Sequence, residues 1–175
     1  MIIDSATPIA QGHLPNNTRV TALKSPIVDE DRGIAVSIRM LHPQRVDRSR
    51  LLRTETITEE MLSFLEICLR YGVSFVVAGR TSSGKTTLLN SLLSSIPDSK
   101  RIYTIETGAR ELSLVRRDEN GNIINNVVHT LSRPADKEMY DVSQESLVAA
   151  ALRFDPDVIC VGEMRDAEAH AAVEA

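Results

Sequence analysis

The sequence predicts an α/β fold built on a mainly parallel sheet, and three features carry that prediction. Residues 75–88 read FVVAGRTSSGKTTL, an apolar run that breaks at a glycine and resumes as a helical pattern after a second glycine and a lysine. From residue 58 onward, strand-like and helix-like runs alternate, the pattern of a parallel sheet covered by helices. The strand-like runs are nearly continuously apolar, as expected of strands buried on both faces.

The elements follow in order. TRVTALK (18–24) and GIAVSIRM (33–40) alternate partly and read as strands separated by charged turn residues. HPQRVDRSRLLRTETI (42–57) is polar and basic and reads as a linker. The expected organisation is therefore the end of an N-terminal domain over 1–41, a linker over 42–57, and a core domain over 58–175. TEEMLSFLEICLRYG (58–72) reads as a helix with Met61, Leu65, Cys68 and Leu69 on one face, Thr58 as N-cap and Gly72 as C-cap.

Val73 to Ala78 is rich in β-branched residues and reads as a buried strand. The helix that begins at Lys85 ends before Pro97. RIYTIE (101–106) is a strand. ELSLVRR and IINNVVHTL read as two strands joined by an Asn120–Gly121 turn. SQESLVAAALRF (143–154) reads as a helix with Ser143 as N-cap, and DPDVICVGE (155–163) as a turn and a further buried strand. Asp166 is placed as the cap of a last helix, AEAHAAVEA, whose end is not reached, so the chain reads as an excerpt of a longer protein.

The loop between the Val73–Ala78 run and the helix fits G-x-x-x-x-G-K-[ST], with Gly79, Gly84, Lys85 and Thr86 at the fixed positions. Between them stand Arg80, Thr81, Ser82 and Ser83, and Thr87 follows. Glycines let backbone N–H groups approach a ligand closely, and a helix N-terminus favours an anion. The strand–loop–helix context therefore predicts a cradle for nucleotide phosphates. Lys85 would reach the β- and γ-phosphates, and the Thr86 hydroxyl would ligate Mg²⁺.

Composition sets bounds around this site. The chain has 175 residues, 42% of them hydrophobic and 25% charged, ordinary for a globular protein. Its net charge of −4 and lack of a basic run argue against non-specific nucleic-acid binding. No apolar run reaches the roughly 18 residues of a membrane span, and no opening segment reads as a leader. Cys68 and Cys160 sit in apolar surroundings and read as buried free thiols. His13, His42, His129 and His170 are scattered and form no metal-ligand spacing.

Ligands of open parallel sheets bind beyond the carboxyl ends of the strands. Three predicted strands end in Gly79, Glu106 and Glu163, so two carboxylates are expected near the phosphate cradle. One acid would hold the metal or its waters, and another would orient the attacking water. Arg39, Arg110, Arg133, Arg153 and Arg165 are the arginines considered for stabilising the transferring phosphoryl group.

Taken together, GRTSSGKTTLLNSLL, RIYTIETGAREL and ALRFDPDVICVGEMRDAEA resemble the type II/type IV secretion ATPases, most closely the branch that serves tight-adherence pili and related machines. The resemblance implies a RecA-like P-loop core, preceded by part of a small α+β N-terminal domain. It implies ATP and Mg²⁺ as cofactors and a homo-hexameric ring. Partners would be inner-membrane secretion or pilus platform proteins, with no direct nucleic-acid binding, and the location cytoplasmic and peripheral to the membrane. Gly79 to Thr86 match the Walker A loop. Glu106 and Glu111 match the first and later acids of the family's Asp box. Glu163 matches the Walker B glutamate, catalytic and close to the metal. Arg165 and Arg39 match further arginines of the family, with Arg133 a looser match. Thr107 stands where an aspartate is usual, and the family's histidine box would fall beyond Ala175.

An ATP-hydrolysing motor of a secretion, pilus-assembly or conjugation machine is therefore the expected function. The alternatives are another P-loop enzyme, such as a DNA-translocating motor or a small-molecule kinase, and a non-hydrolysing nucleotide switch. DNA-stimulated turnover would mark the translocating motor. A kinase needs an acceptor pocket and lid, of which the sequence gives no sign. Absence of turnover would mark the switch.

Overall fold

The computed structural model describes residues 3–14, 18–40, 47–133 and 140–164. The chain divides into two compact units, 1–43 and 44–175. The first is an antiparallel meander of β1 (Ile9–His13), β2 (Arg19–Lys24) and β3 (Ile34–Arg39). Two of these strands are the ones the sequence predicts, and β1 is additional. The register sets Ala10 opposite Ala22 and Ala22 opposite Val36, so small and apolar residues share one face of the sheet.

The second unit opens with α1 (Arg48–Arg53), within the stretch read as linker; the Asp47 carboxylate caps it by accepting from the Arg50 amide. Helix α2 (Glu59–Arg70) is capped by Thr58 as expected, and Gly72 follows it with φ 76°. Of the predicted face, Leu65, Cys68 and Leu69 are half-buried, with Leu69 against the core, whereas Met61 is exposed and Leu62 takes the fully buried position. The helix is apolar around more than half its circumference, so spacing alone does not choose the inward stripe.

Helix α3 (Lys85–Leu93) starts directly after Gly84, at the end of the glycine-bounded loop. The parallel sheet has the order β5–β4–β6, from β4 (Arg101–Thr107), β5 (Asn126–Ser132) and β6 (Val158–Val161). Helix α4 (Gln144–Ala151) starts at the predicted cap, Ser143, whose hydroxyl accepts from the Ser146 amide.

Alternation along β4 decides which residue faces which layer. Ile102 packs with Leu93, Ile96, Leu112, Leu114 and Cys160, against which Leu69 and Leu89 of α2 and α3 also rest. Tyr103 and Ile105 pack with Val148 and Ala151 of α4. The parity therefore puts Thr104 and Glu106 on the α3 side of the sheet, and Thr107 on the α4 side. Cys160 is buried and Cys68 half-buried, both unbridged. Burial pushes the Cys160 thiol up to about 12, so it is a packing residue and not a nucleophile.

Two predicted strands do not form. Residues 73–79 join no ladder among the described residues, and Val73 and Val76 are exposed. Both edges of β4 are taken by β5 and β6, and no ladder links 73–79 to the outer edge of β6. The predicted hairpin keeps its turn at Gly121 but reduces to a single bridge, Arg117 to Ile123. Side chains take the backbone bonds that a ladder would have used. Glu106 Oε1 accepts from the amides of Glu111 and Leu112 at 2.6 and 2.9 Å. Asn90 Oδ1 accepts from Ser113, and Asn125 Oδ1 from Arg116. With those amides satisfied locally, the segment has no need of a partner strand.

Candidate functional site

The loop from Gly79 to Gly84 is closed on itself. The Ser83 amide donates to the Arg80 carbonyl, and Ser82 sits at φ 63°. Gly84 is the N-cap of α3 at φ 90°, a conformation that a side chain disfavours, and no side chain caps the helix there. The first-turn amides of α3 are thereby left to an anion. The Lys85 ammonium donates to the carbonyls of Gly79 and Arg80 at 2.9 and 2.8 Å, which keeps its charge on the loop. Arg80 and Thr81 are exposed on the same loop, and Thr87 continues the helix.

Thr86 lies one residue further, and its hydroxyl donates to Glu111 Oε2 at 3.4 Å, a long hydrogen bond. Glu111 reaches it because the 111–116 segment is lashed along α3. Asn90, one turn on from Thr86, holds the Ser113 amide. Arg116 donates to the carbonyls of Ser94 and Ile96, both at 2.8 Å, at the far end of the helix. Among the described residues no three His, Cys, Asp or Glu gather as a metal cage. A hydroxyl and a carboxylate are nonetheless hard oxygen donors, the set Mg²⁺ uses when substrate phosphates supply further ligands. The residues present therefore fit a magnesium nucleotide.

Glu106 is placed beneath this assembly. It is only 3% exposed, and burial pushes its carboxyl above the ordinary range against the two amides that hold it. Its Oε2 has no hydrogen-bond partner and lies 3.9 Å from His129 Nδ1. That distance alone would suggest an ion pair. Burial, with the Arg110 charge nearby, instead lowers the His129 pKa to about 4, so the imidazole is neutral at pH 7. Its Nδ1 lies 2.7 Å from the hydroxyl of the fully buried Thr104. We therefore describe His129 and Glu106 as neighbours in a dry pocket, not as a salt bridge.

This pocket predicts a pH dependence. Unfolded His129 titrates at its ordinary 6.5 and folded His129 at about 4, so the unfolded chain takes up its proton first as pH falls. The stability that the neutral imidazole contributes is complete above pH 6.5 and is lost toward pH 4, by about 3 kcal/mol. The raised Glu106 carboxyl acts in the opposite sense, its contribution being lost as pH rises. Urea unfolding of His129→Gln at pH 7 and pH 4.5 should show a smaller loss than the parent. An equal loss in the two proteins would exclude His129 as the source.

Glu163 follows β6, and its main-chain oxygen accepts from Gln144 Nε2 at 3.2 Å. Gly162, just before it, donates to the Ile105 carbonyl at 2.8 Å. A Cβ on Gly162 would lie 3.1 Å from Glu106 Cγ, so a side chain there would crowd the buried glutamate. Thr107 and Glu163 thus lie at the carboxyl ends of neighbouring parallel strands.

The other predicted site residues are more dispersed. Arg39 ends β3 in the first unit. Arg133 forms a bridge with Val142, Arg110 lies near Glu106 and His129, and Arg153 is exposed after α4. Arg165 and the helix predicted after Asp166 lie outside the described residues. Sequence reasoning missed Asn90, Asn125 and Gln144. Asn90 was detectable as the polar position one turn after Thr86, whereas Asn125 and Gln144 gave no signal.

The family profile described as type II/IV secretion system protein matches residues 1–175. The type IV secretion system protein PtlH of Bordetella pertussis is 41% identical over 107 residues, covering 61% of this chain and 29% of PtlH. A putative conjugal transfer protein of Mycobacterium tuberculosis is 30% identical over 173 residues, covering 95% of this chain and 46% of its own. The X-ray structure of the Legionella pneumophila ATPase DotB matches with a TM-score of 0.51 at 23% identity, over 95% of this chain and 43% of DotB. That last likeness is one of fold. The chain spans less than half the length of each of these proteins. Among the described residues no helix is long and apolar enough to cross a membrane.

Proposed function

The chain belongs to the type II/IV secretion system protein family, and from that premise we propose that it is the nucleotide-binding part of an ATP-hydrolysing motor for secretion, pilus assembly or conjugation. One observation carries the reading: a lysine and a threonine at the start of α3 stand on a glycine-bounded loop, with the Glu111 carboxylate held against that threonine.

Lys85 and the amides of residues 79–86 hold the phosphates of ATP. Thr86 and Glu111 provide oxygen ligands on the metal side. Bound Mg²⁺ supplies positive charge against the phosphate oxygens. Glu163 orients water and takes its proton, and Glu106 keeps the Glu111 loop in place from below. Arg165 or an arginine of a neighbouring subunit completes the site by countering charge on the phosphoryl group. The motor works as a homo-hexameric ring at the cytoplasmic face of the membrane, against platform proteins of the inner membrane.

Head-to-tail interfaces close into rings, and a ring motor places its nucleotide between subunits. Light scattering with saturating ATP and Mg²⁺ tests this. The full-length gene product should be hexameric, and residues 1–175 alone monomeric with little turnover. A full-length product that stays monomeric under those conditions would overturn the ring and favour a nucleotide switch.

A further inference from the structure

Thr107 occupies the position where the resemblance leads one to expect an aspartate, and its hydroxyl is engaged away from the phosphate loop. The parity of β4 puts it on the α4 side of the sheet. There it accepts from Gln144 Nε2 at 2.5 Å and from the Ser132 hydroxyl at 3.0 Å. Gln144 is 5% exposed and is the first residue of α4, set there by the Ser143 cap. A side-chain amide has two N–H donors. One goes to Thr107, and the other to the main-chain oxygen of Glu163 at 3.2 Å.

We propose that Thr107 and Gln144 form a clamp that positions Glu163 for hydrolysis. The ends of β4 and β5 and the start of α4 meet in it through Thr107, Ser132 and Gln144, and Gln144 carries the link to the Glu163 carbonyl. On the opposite face of the sheet Gly162 is wedged against Glu106. The peptide that carries Glu163 is therefore fixed from both sides, which limits the directions its carboxylate can take. Both residues are positioning residues, since neither is placed to touch the nucleotide. A hydroxyl does this work without charge. The inference rests on Glu163 being the hydrolytic carboxylate, so its test separates the two.

Thr107→Val keeps the shape and removes the hydroxyl, Thr107→Ser restores it, and Gln144→Leu removes the bridging amide. Amide hydrogen exchange in the nucleotide-free protein is read over 158–164. Losing a part-buried hydrogen bond should speed exchange there about tenfold in Thr107→Val and Gln144→Leu, with the serine variant close to the parent. In the full-length gene product the same two variants should lose about tenfold in kcat at nearly unchanged KM for ATP, because the loop that holds the phosphates is untouched. Unchanged exchange over 158–164 would overturn the clamp whatever the turnover. Faster exchange with parental kcat, while Glu163→Gln is inactive, would overturn the positioning role. Faster exchange with Glu163→Gln fully active would leave the clamp standing and remove Glu163 from the chemistry.

Discussion

Glu163→Gln in the full-length gene product is expected to bind ATP as the parent does and to lose turnover by on the order of a hundredfold or more. The substitution keeps the size and polarity of the side chain and removes its capacity to take a proton from water. The main-chain bond from Gln144 is made to the Glu163 carbonyl, so it survives the change and the strand end stays in place. A drop in kcat with no change in nucleotide affinity is the signature of an interaction realised in the transition state. Turnover near the parental level would move the catalytic role to another carboxylate. Glu111, already held against Thr86, is then the better placed acid, because Glu106 is enclosed beneath the loop.

Lys85→Ala is expected to weaken ATP binding by about a hundredfold or more, since two or more charge-assisted hydrogen bonds to phosphate are lost. The fold should survive. The ammonium bonds only to exposed carbonyls of its own loop, and its loss leaves no buried group unpaired. Calorimetric titration with ATP checks the affinity, and thermal unfolding checks the fold. Equal affinity in the two proteins would remove the phosphate-loop assignment, whatever the sequence pattern.

The sequence made the α/β class legible because its signals are local. Thr58 and Ser143 cap helices where their spacing says they should, and RIYTIE, read as a strand, becomes the central one, buried on both faces. The glycine-bounded loop before α3 was equally plain, since Gly84 takes the positive φ that its pattern implies. What was not legible depends on side chains meeting across the fold. Residues 111–116 have the composition of a strand, yet Glu106, Asn90 and Asn125 take up their amides, and no periodicity announces that. Val73–Ala78 has the composition of a buried strand, yet it joins no ladder, and nothing in its composition announces that. Glu106 was readable as an acid at a strand end. Its burial was not, because that depends on Gly162 and Leu112 closing over it from distant parts of the chain. Gln144 looks like any polar residue near a helix start, and only its two partners mark it out.

If this chain's loop and strand-end carboxylate serve ATP hydrolysis, the full-length gene product releases phosphate from ATP at steady state, and the assay is run with and without Mg²⁺. Release is expected to require Mg²⁺ and to disappear in Lys85→Ala. Tight ATP binding with no phosphate release in the presence of Mg²⁺ would contradict it and make the protein a nucleotide-dependent switch.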